Sequence, residues 1–287
     1  MYNISSSLVF GTALESDDGG RSAFHRCVNE LLELWGSRAV TLLDYFPFLR
    51  VFPNPVWRNL VRAVERRNAF VLHQLQRHKE TFRRQEVRDM TDAMLLFLMD
   101  QDDEKPEGGG RVTEEHVHMA IVDLFIGGTE TTAALLSWAV AFLALRPEVQ
   151  SRIYAEMSAA VGDGRYPAFA DRARLPYLMA TIAELLRLRP IVPLALPHRA
   201  TRDTSLIGYH IPKGTTVITN LFGAHHDTSR WDDPEDFKPE RLLGAERVGA
   251  TLAFGAGARV CVGESVARVE IFLFLSRLLK DFVLSPP

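Results

Sequence analysis

Cysteine is nearly absent from this chain: Cys27 and Cys261 are the only two in 287 residues. They lie far apart and fit no paired-ligand spacing, so neither a disulfide framework nor a zinc site is implied. A dominant charge is missing too. The 33 basic and 36 acidic residues leave a net charge of −3, which argues against nucleic acid as a general partner. The opening MYNISSSLVFGTALESDD has no basic stretch followed by an apolar one, so no secretory signal is read there. The most apolar run, residues 133–145, falls short of the ~20 residues that a bilayer-spanning helix requires. There is no flavin or nicotinamide fingerprint, no internal repeat and no sustained low-complexity tract. What remains is 47% hydrophobic and 24% charged, a composition that builds a globular core in one or two domains.

The densest chemistry lies at 254–263, FGAGARVCVG. Gly255, Gly257 and Gly263 permit left-handed backbone and close approach of another group. Arg259 stands two residues before Cys261, on the same side of an extended segment. The following ESVARVEIFLFLSRLL has Val266, Val269, Phe272 and Leu273 at helical spacing, which places Cys261 at a helix entrance. Free N–H groups and the positive dipole end there favour a thiolate. A thiolate in a glycine-lined turn beside a cation is what ligation of haem iron through sulfur requires. The alternative is a free cysteine buried at a helix start.

The rest of the chain reads as mainly helical with a small β component. Residues 22–36 form an amphipathic helix closed by Gly36. Residues 44–59, broken by Pro47, Pro53 and Pro55, read as an irregular connector. A long basic helix is expected over 60–84, with Arg67 set among Ala63, Phe70 and Val71 and able to point inward. A short helix over 89–99 precedes a turn-rich linker over 100–111. The longest helix opens at Thr113 and ends before Pro147. It contains GGTETT at 127–132, where two glycines cost ~1 kcal/mol each relative to alanine and the threonine hydroxyls compete for backbone carbonyls. This pattern predicts a locally opened helix that presents Glu130 and Thr131, against the alternative of a kink without chemistry. A helix over 147–161 follows. Glu184 and Arg187, three apart, share a helix face and can pair. Residues 189–220 read as strands with a turn at Pro212, Lys213 and Gly214. His198 lies within them, and taken alone it is an ordinary surface or core histidine.

Four motifs in this order, GGTETT, ELLR, FKPER and FGAGARVCVG, make the chain resemble the cytochrome P-450 monooxygenases. Strings such as EEHVHMAIVDLFIGGTETT, TIAELLRLRPIVPLALPHR and LAFGAGARVCVGE resemble the family's steroid hydroxylases along essentially the whole chain. The resemblance implies a single haem-centred domain over 1–287, cut at both ends, with the membrane anchor before residue 1 and the last β segments after Pro287. It implies heme b with Cys261 as axial iron ligand. Phe254, Gly257 and Gly263 would shape the ligand loop, and Arg259 and His198 would bond the propionates. Glu130 and Thr131 would form the acid–alcohol pair of oxygen activation. Glu184, Arg187 and Arg241 would make a buried structural cluster. Arg67, Asp123, Val122, Val192 and Leu196 would contact substrate, with Arg67 at the steroid 3-keto group. The expected reaction inserts one atom of O2 at C21 of progesterone or 17-hydroxyprogesterone. Electrons would come from NADPH-cytochrome P-450 reductase, docking at Lys238, Arg247, Arg259 and Arg268, on the cytoplasmic face of the endoplasmic reticulum membrane. Another steroid hydroxylase such as a 17-hydroxylase, a haem carrier or sensor, and a truncated product that binds nothing remain open.

Overall fold

Asn54 and Pro55 show how local chemistry sets the helices. The Asn54 side chain accepts from the Val56 and Trp57 amides at 2.9 and 3.3 Å, and Pro55 takes the first helical position. The proline's missing N–H costs nothing there. The basic helix therefore begins at Pro55 and ends at Thr81, rather than spanning 60–84. The computed structural model describes residues 1–12, 19–52, 54–103, 111–244 and 251–286. Within them the chain is mainly helical with two small antiparallel sheets, as expected. Its contacts group into two compact units, Met1–Thr129 and Glu130–Pro287.

The first unit holds α1 (Tyr2–Phe10), α2 (Gly19–Trp35), α3 (Arg38–Tyr45), α4 (Pro55–Thr81), α5 (Met90–Asp103) and the first half of α6 (Glu114–Ala144). Its core gathers Phe10, Phe24, Val71, Leu75, Ile121 and Phe125, with Phe24 stacked on Phe70 at 4.2 Å between ring centres. Cys27 is buried between α2 and α4 and donates its S–H to the Ala63 carbonyl at 3.1 Å. Burial pushes its thiol pKa up, so it packs as a small apolar side chain. Three further elements differ from the sequence reading. α5 continues to Asp103, into the linker expected over 100–111, of which residues 104–110 lie outside the described residues. The expected connector over 44–59 contains the end of α3, a 3-10 turn at Pro47–Arg50 and the start of α4; Pro53 lies outside the described residues. Residues 2–10 form α1, whose Ser5 and Ser6 are buried.

The second unit contains the rest of α6, then α7 (Pro147–Val161), α8 (Pro176–Leu188), β1 (His198–Arg199), β2 (Thr204–Leu206), β3 (Tyr209–Ile211), β4 (Thr216–Val217), α9 (Leu221–His225) and α10 (Glu264–Asp281). α8 is buried along its whole length from Tyr177 to Leu188 apart from Met179. It packs on α7 and α10 through Ile153, Leu178, Leu185, Phe272 and Leu275. β1 pairs with β4 and β2 with β3; Ile207 and Gly208, at φ 51° and 81°, turn the β2–β3 hairpin.

α6 is long and apolar enough to cross a membrane by length and composition alone, although residues 133–145 by themselves are not. Several of its apolar residues lie in the cores of the two units. Val117, Ile121 and Phe125 belong to the core of the first unit, and Leu135, Ala139 and Leu143 to that of the second. The helix is continuous through 127–132, so the expected local opening is not present.

Candidate haem-thiolate site

In the second unit, the cysteine loop is a hairpin tightened by its own backbone. The Cys261 amide donates to the Phe254 carbonyl at 2.9 Å, and Gly255 to Leu252 at 2.8 Å. Gly255 and Gly257 both lie at φ 77°, the left-handed region that side-chain-bearing residues resist. A Cβ on either would meet nothing within 4 Å, so these glycines are required by backbone conformation. Gly263 differs: it caps α10, and a Cβ there would sit 3.9 Å from the Cys261 sulfur. Cys261 is free and exposed. Val260, Val262 and Val266 around it are exposed as well. Phe254 is half-buried, with the Arg268 guanidinium 5.0 Å from its ring centre.

Arg259 ends the short 3-10 turn before the cysteine, and His198 lies in β1. Both side chains are exposed, and neither has a hydrogen-bond or ion-pair partner among the described residues. One soft sulfur ligand with two separate cationic or hydrogen-bonding donors does not match a tetrahedral metal site. It does fit a haem, which needs one axial thiolate and donors for two propionates.

The brace behind this loop is explicit. Glu184 and Arg187 are both fully buried on α8. Arg187 donates Nε to Glu184 Oε2 at 2.8 Å and Nη2 to Oε1 at 2.9 Å. Arg241 donates Nε to the same carboxylate at 3.1 Å, and the Lys238 amide at 3.0 Å. Arg187 also donates to the His225 and Asp236 carbonyls, and its guanidinium lies 5.2 Å from the centre of the Trp231 ring. Sequence reasoning named the three charged residues but missed His225, Trp231 and Asp236. Their contacts are long-range: His225 and Asp236 offer backbone carbonyls, which leave no side-chain signature, and Trp231 lies 44 residues from Arg187.

On α6, Glu130 and Thr131 are half-buried and each is engaged in an interaction. The next residue, Thr132, is buried and hydrogen-bonds to the buried Glu270 of α10, whose pKa burial pushes up. Val192 and Leu196 are exposed on the segment before β1. Of the expected docking cations, Lys238 is tied to Asp233 and Asp236 at 2.8 and 2.9 Å. Arg268 is tied to Glu264 at 2.8 Å, and Arg247 lies outside the described residues. Of the described three, Arg259 alone has no ion-pair partner among the described residues.

In the first unit, Arg67 points inward from α4 and is 7% exposed. Its Nε and Nη2 both donate to the Asn68 Oδ1, at 3.1 and 2.8 Å, while Nη1 has no partner among the described residues. Burial holds its pKa below the ordinary value, opposed by Cys27 and Asp123. Asp123 is exposed and Val122 buried, both on α6. His118 is also buried there, and its Nε2 has no hydrogen-bond partner among the described residues. Burial first, and the Arg67 charge second, push its pKa down. A hollow of ≈370 Å³ lined by Met90, Met94, Phe97, Val117 and Ala120, among others, contains none of the residues that the sequence singled out.

A glycine-lined cysteine loop in front of a buried Glu–Arg–Arg brace is the arrangement expected of a class, the haem-thiolate proteins. The cytochrome P-450 family model matches residues 1–287, and the chain belongs to that family. It is 54% identical over 284 residues to the cattle steroid 21-hydroxylase, covering 98% of this chain and 56% of that protein. The human steroid 21-hydroxylase is 50% identical over 283 residues, covering 97% and 56%. A solved zebrafish cytochrome P-450 with progesterone superimposes with a TM-score of 0.84 at 37% identity, covering 98% of this chain and 62% of that one. The chain thus spans little more than half the length of the curated relatives it matches.

Proposed function

We propose that this chain is the haem-binding part of a steroid monooxygenase that hydroxylates C21 of progesterone and 17-hydroxyprogesterone, built as a single haem-centred domain over 1–287. One observation carries the reading: a complete cysteine loop, backed by its buried brace, in a chain about half identical to steroid 21-hydroxylases along nearly its whole length. Haem, when bound, supplies oxygen activation and insertion of one oxygen atom into a C–H bond. Cys261 would be its axial ligand, in the loop shaped by Phe254, Gly257 and Gly263, while Arg259 and His198 would hold the propionates. The chain's own part is orientation and proton handling. Thr131, with Glu130, would hold a proton and a water on the face of α6 turned to the oxygen. Arg67 would anchor the steroid's 3-keto end through Nη1, the donor that Asn68 leaves free. Val122, Asp123, Val192 and Leu196 would contact the rest of the steroid.

Electrons would come from NADPH-cytochrome P-450 reductase, and the enzyme would work at the cytoplasmic face of the endoplasmic reticulum membrane. The test is product identification. Progesterone, O2, NADPH and reductase, incubated with the haem-loaded protein, should yield the 21-hydroxylated steroid. Hydroxylation at C17 instead, or oxygen consumption without any hydroxylated steroid, would refute the assignment.

A further inference from the structure

His225 is 1% exposed at the end of α9, and the proposed chemistry gives it no role. Its surroundings are specific. The backbone carbonyl accepts from Arg187 Nη1 at 2.7 Å. The ring Nε2 accepts from the Leu252 amide at 2.8 Å, 27 residues further along the chain. Nδ1 is buried and has no hydrogen-bond partner among the described residues. A ring nitrogen that accepts from an amide carries no proton, so the neutral ring must hold its proton on the unpaired Nδ1.

His225 joins two parts of this unit. On one side is the Glu184–Arg187–Arg241 cluster, fixed in the core. On the other, the Leu252 carbonyl accepts from Gly255, and Phe254, two residues on, accepts from Cys261. Hydrogen bonds link Glu184, Arg187, His225, Leu252 and Gly255 in turn, and Phe254, the covalent neighbour of Gly255, accepts from Cys261. We propose that His225 is a positioning residue that fixes the cysteine loop to the buried cluster, acting as a neutral acceptor for the Leu252 amide. The proposal rests on the reading of Cys261 as haem ligand.

Protonation would turn Nε2 from acceptor into donor, facing another N–H. The fold opposes that: burial, the Arg187 charge and His226 lower the ring pKa to about 4. The shape of the side chain also supports an acceptor role, since a leucine of similar bulk would fill the site without bonding Leu252. Glutamine can place an amide oxygen near the Nε2 position.

The test compares His225→Gln with His225→Leu in the haem-loaded protein. Three quantities are read: hydrogen exchange at the Leu252 amide, the thiolate-ligated fraction of the reduced carbon monoxide complex, and total haem. His225→Gln should match the wild type within about twofold in Leu252 protection. His225→Leu should speed that exchange roughly tenfold, the loss of one hydrogen bond, and lower the thiolate-ligated fraction. Unchanged Leu252 exchange in His225→Leu would overturn the proposal. So would a glutamine variant no better than leucine, or faster exchange with an unchanged thiolate fraction. Should the leucine variant fail to fold, the ring tautomer of the wild type, read by nitrogen NMR, decides the matter. The Nδ1-protonated form is expected, and an Nε2-protonated ring refutes the bond. If the wild type shows no thiolate-ligated complex, the haem-thiolate reading falls, while Leu252 exchange and the tautomer still report on the latch.

Discussion

Replacing Glu184 by alanine removes the acceptor on which the brace converges. The carboxylate takes two bonds from Arg187, one from Arg241 and one from the Lys238 amide. Without it the fully buried Arg187 keeps only the His225 and Asp236 carbonyls, acceptors without a countercharge. Stranding one partner of a buried ion pair costs ~3–5 kcal/mol, and the orphaned Lys238 amide adds ~1–3 kcal/mol. The two losses share one network and do not simply add, which gives ~4–6 kcal/mol against a typical total stability of ~5–15 kcal/mol. Glu184→Gln keeps an acceptor but gives up the charge-assisted bonds, so it should fall between the alanine variant and the wild type. Urea unfolding of the purified protein measures this through the midpoint at constant slope. An alanine variant within ~1 kcal/mol of the wild type would show that the cluster contributes no more than a surface ion pair.

Thr131→Ala should leave haem content intact and lower the hydroxylated product formed per NADPH, measured together with peroxide release; an unchanged yield would reduce Thr131 to a helix residue. Arg67→Ala should weaken progesterone binding about ten- to a hundredfold, the value of one charged hydrogen bond of ~1.5–3 kcal/mol. An analogue lacking the 3-keto oxygen should be unaffected, and equal weakening of both would mean that Arg67 supports α4. Stability should also depend on His225. Its folded pKa of about 4 lies below the ordinary 6.5, so the unfolded chain takes up the proton first. Its contribution is complete above the unfolded value, declines as pH falls between the two, and levels off below 4, for a loss of up to ~3 kcal/mol. A pH–stability profile that is as steep in His225→Gln as in the wild type would assign the loss to other groups.

What was legible in the sequence follows from where the information lies. The cysteine loop and the Glu184–Arg187 pair could be read because their chemistry demands fixed short spacings. α4 begins earlier than expected because Pro55, which reads as a chain breaker, takes the first helical position behind the Asn54 cap. α1 was missed because its three serines suggest coil. In the fold Ser5 and Ser6 are buried, and the Thr129 hydroxyl donates to the Ser5 hydroxyl at 3.2 Å. The continuity of α6 through GGTETT was equally hidden. Thr129 and Thr132 are both buried, and tertiary packing overrides the local cost of two glycines. His225 gave no local sign because its partners, Arg187 and Leu252, are 38 and 27 residues away.

The central claim is that Cys261 ligates haem iron as a thiolate, and the reduced carbon monoxide difference spectrum tests it most directly. The wild-type protein should show the thiolate-type band, and Cys261→Ser should lose it even where haem is retained. A serine variant that keeps the band, or a haem-loaded wild type that never shows it, would contradict the account.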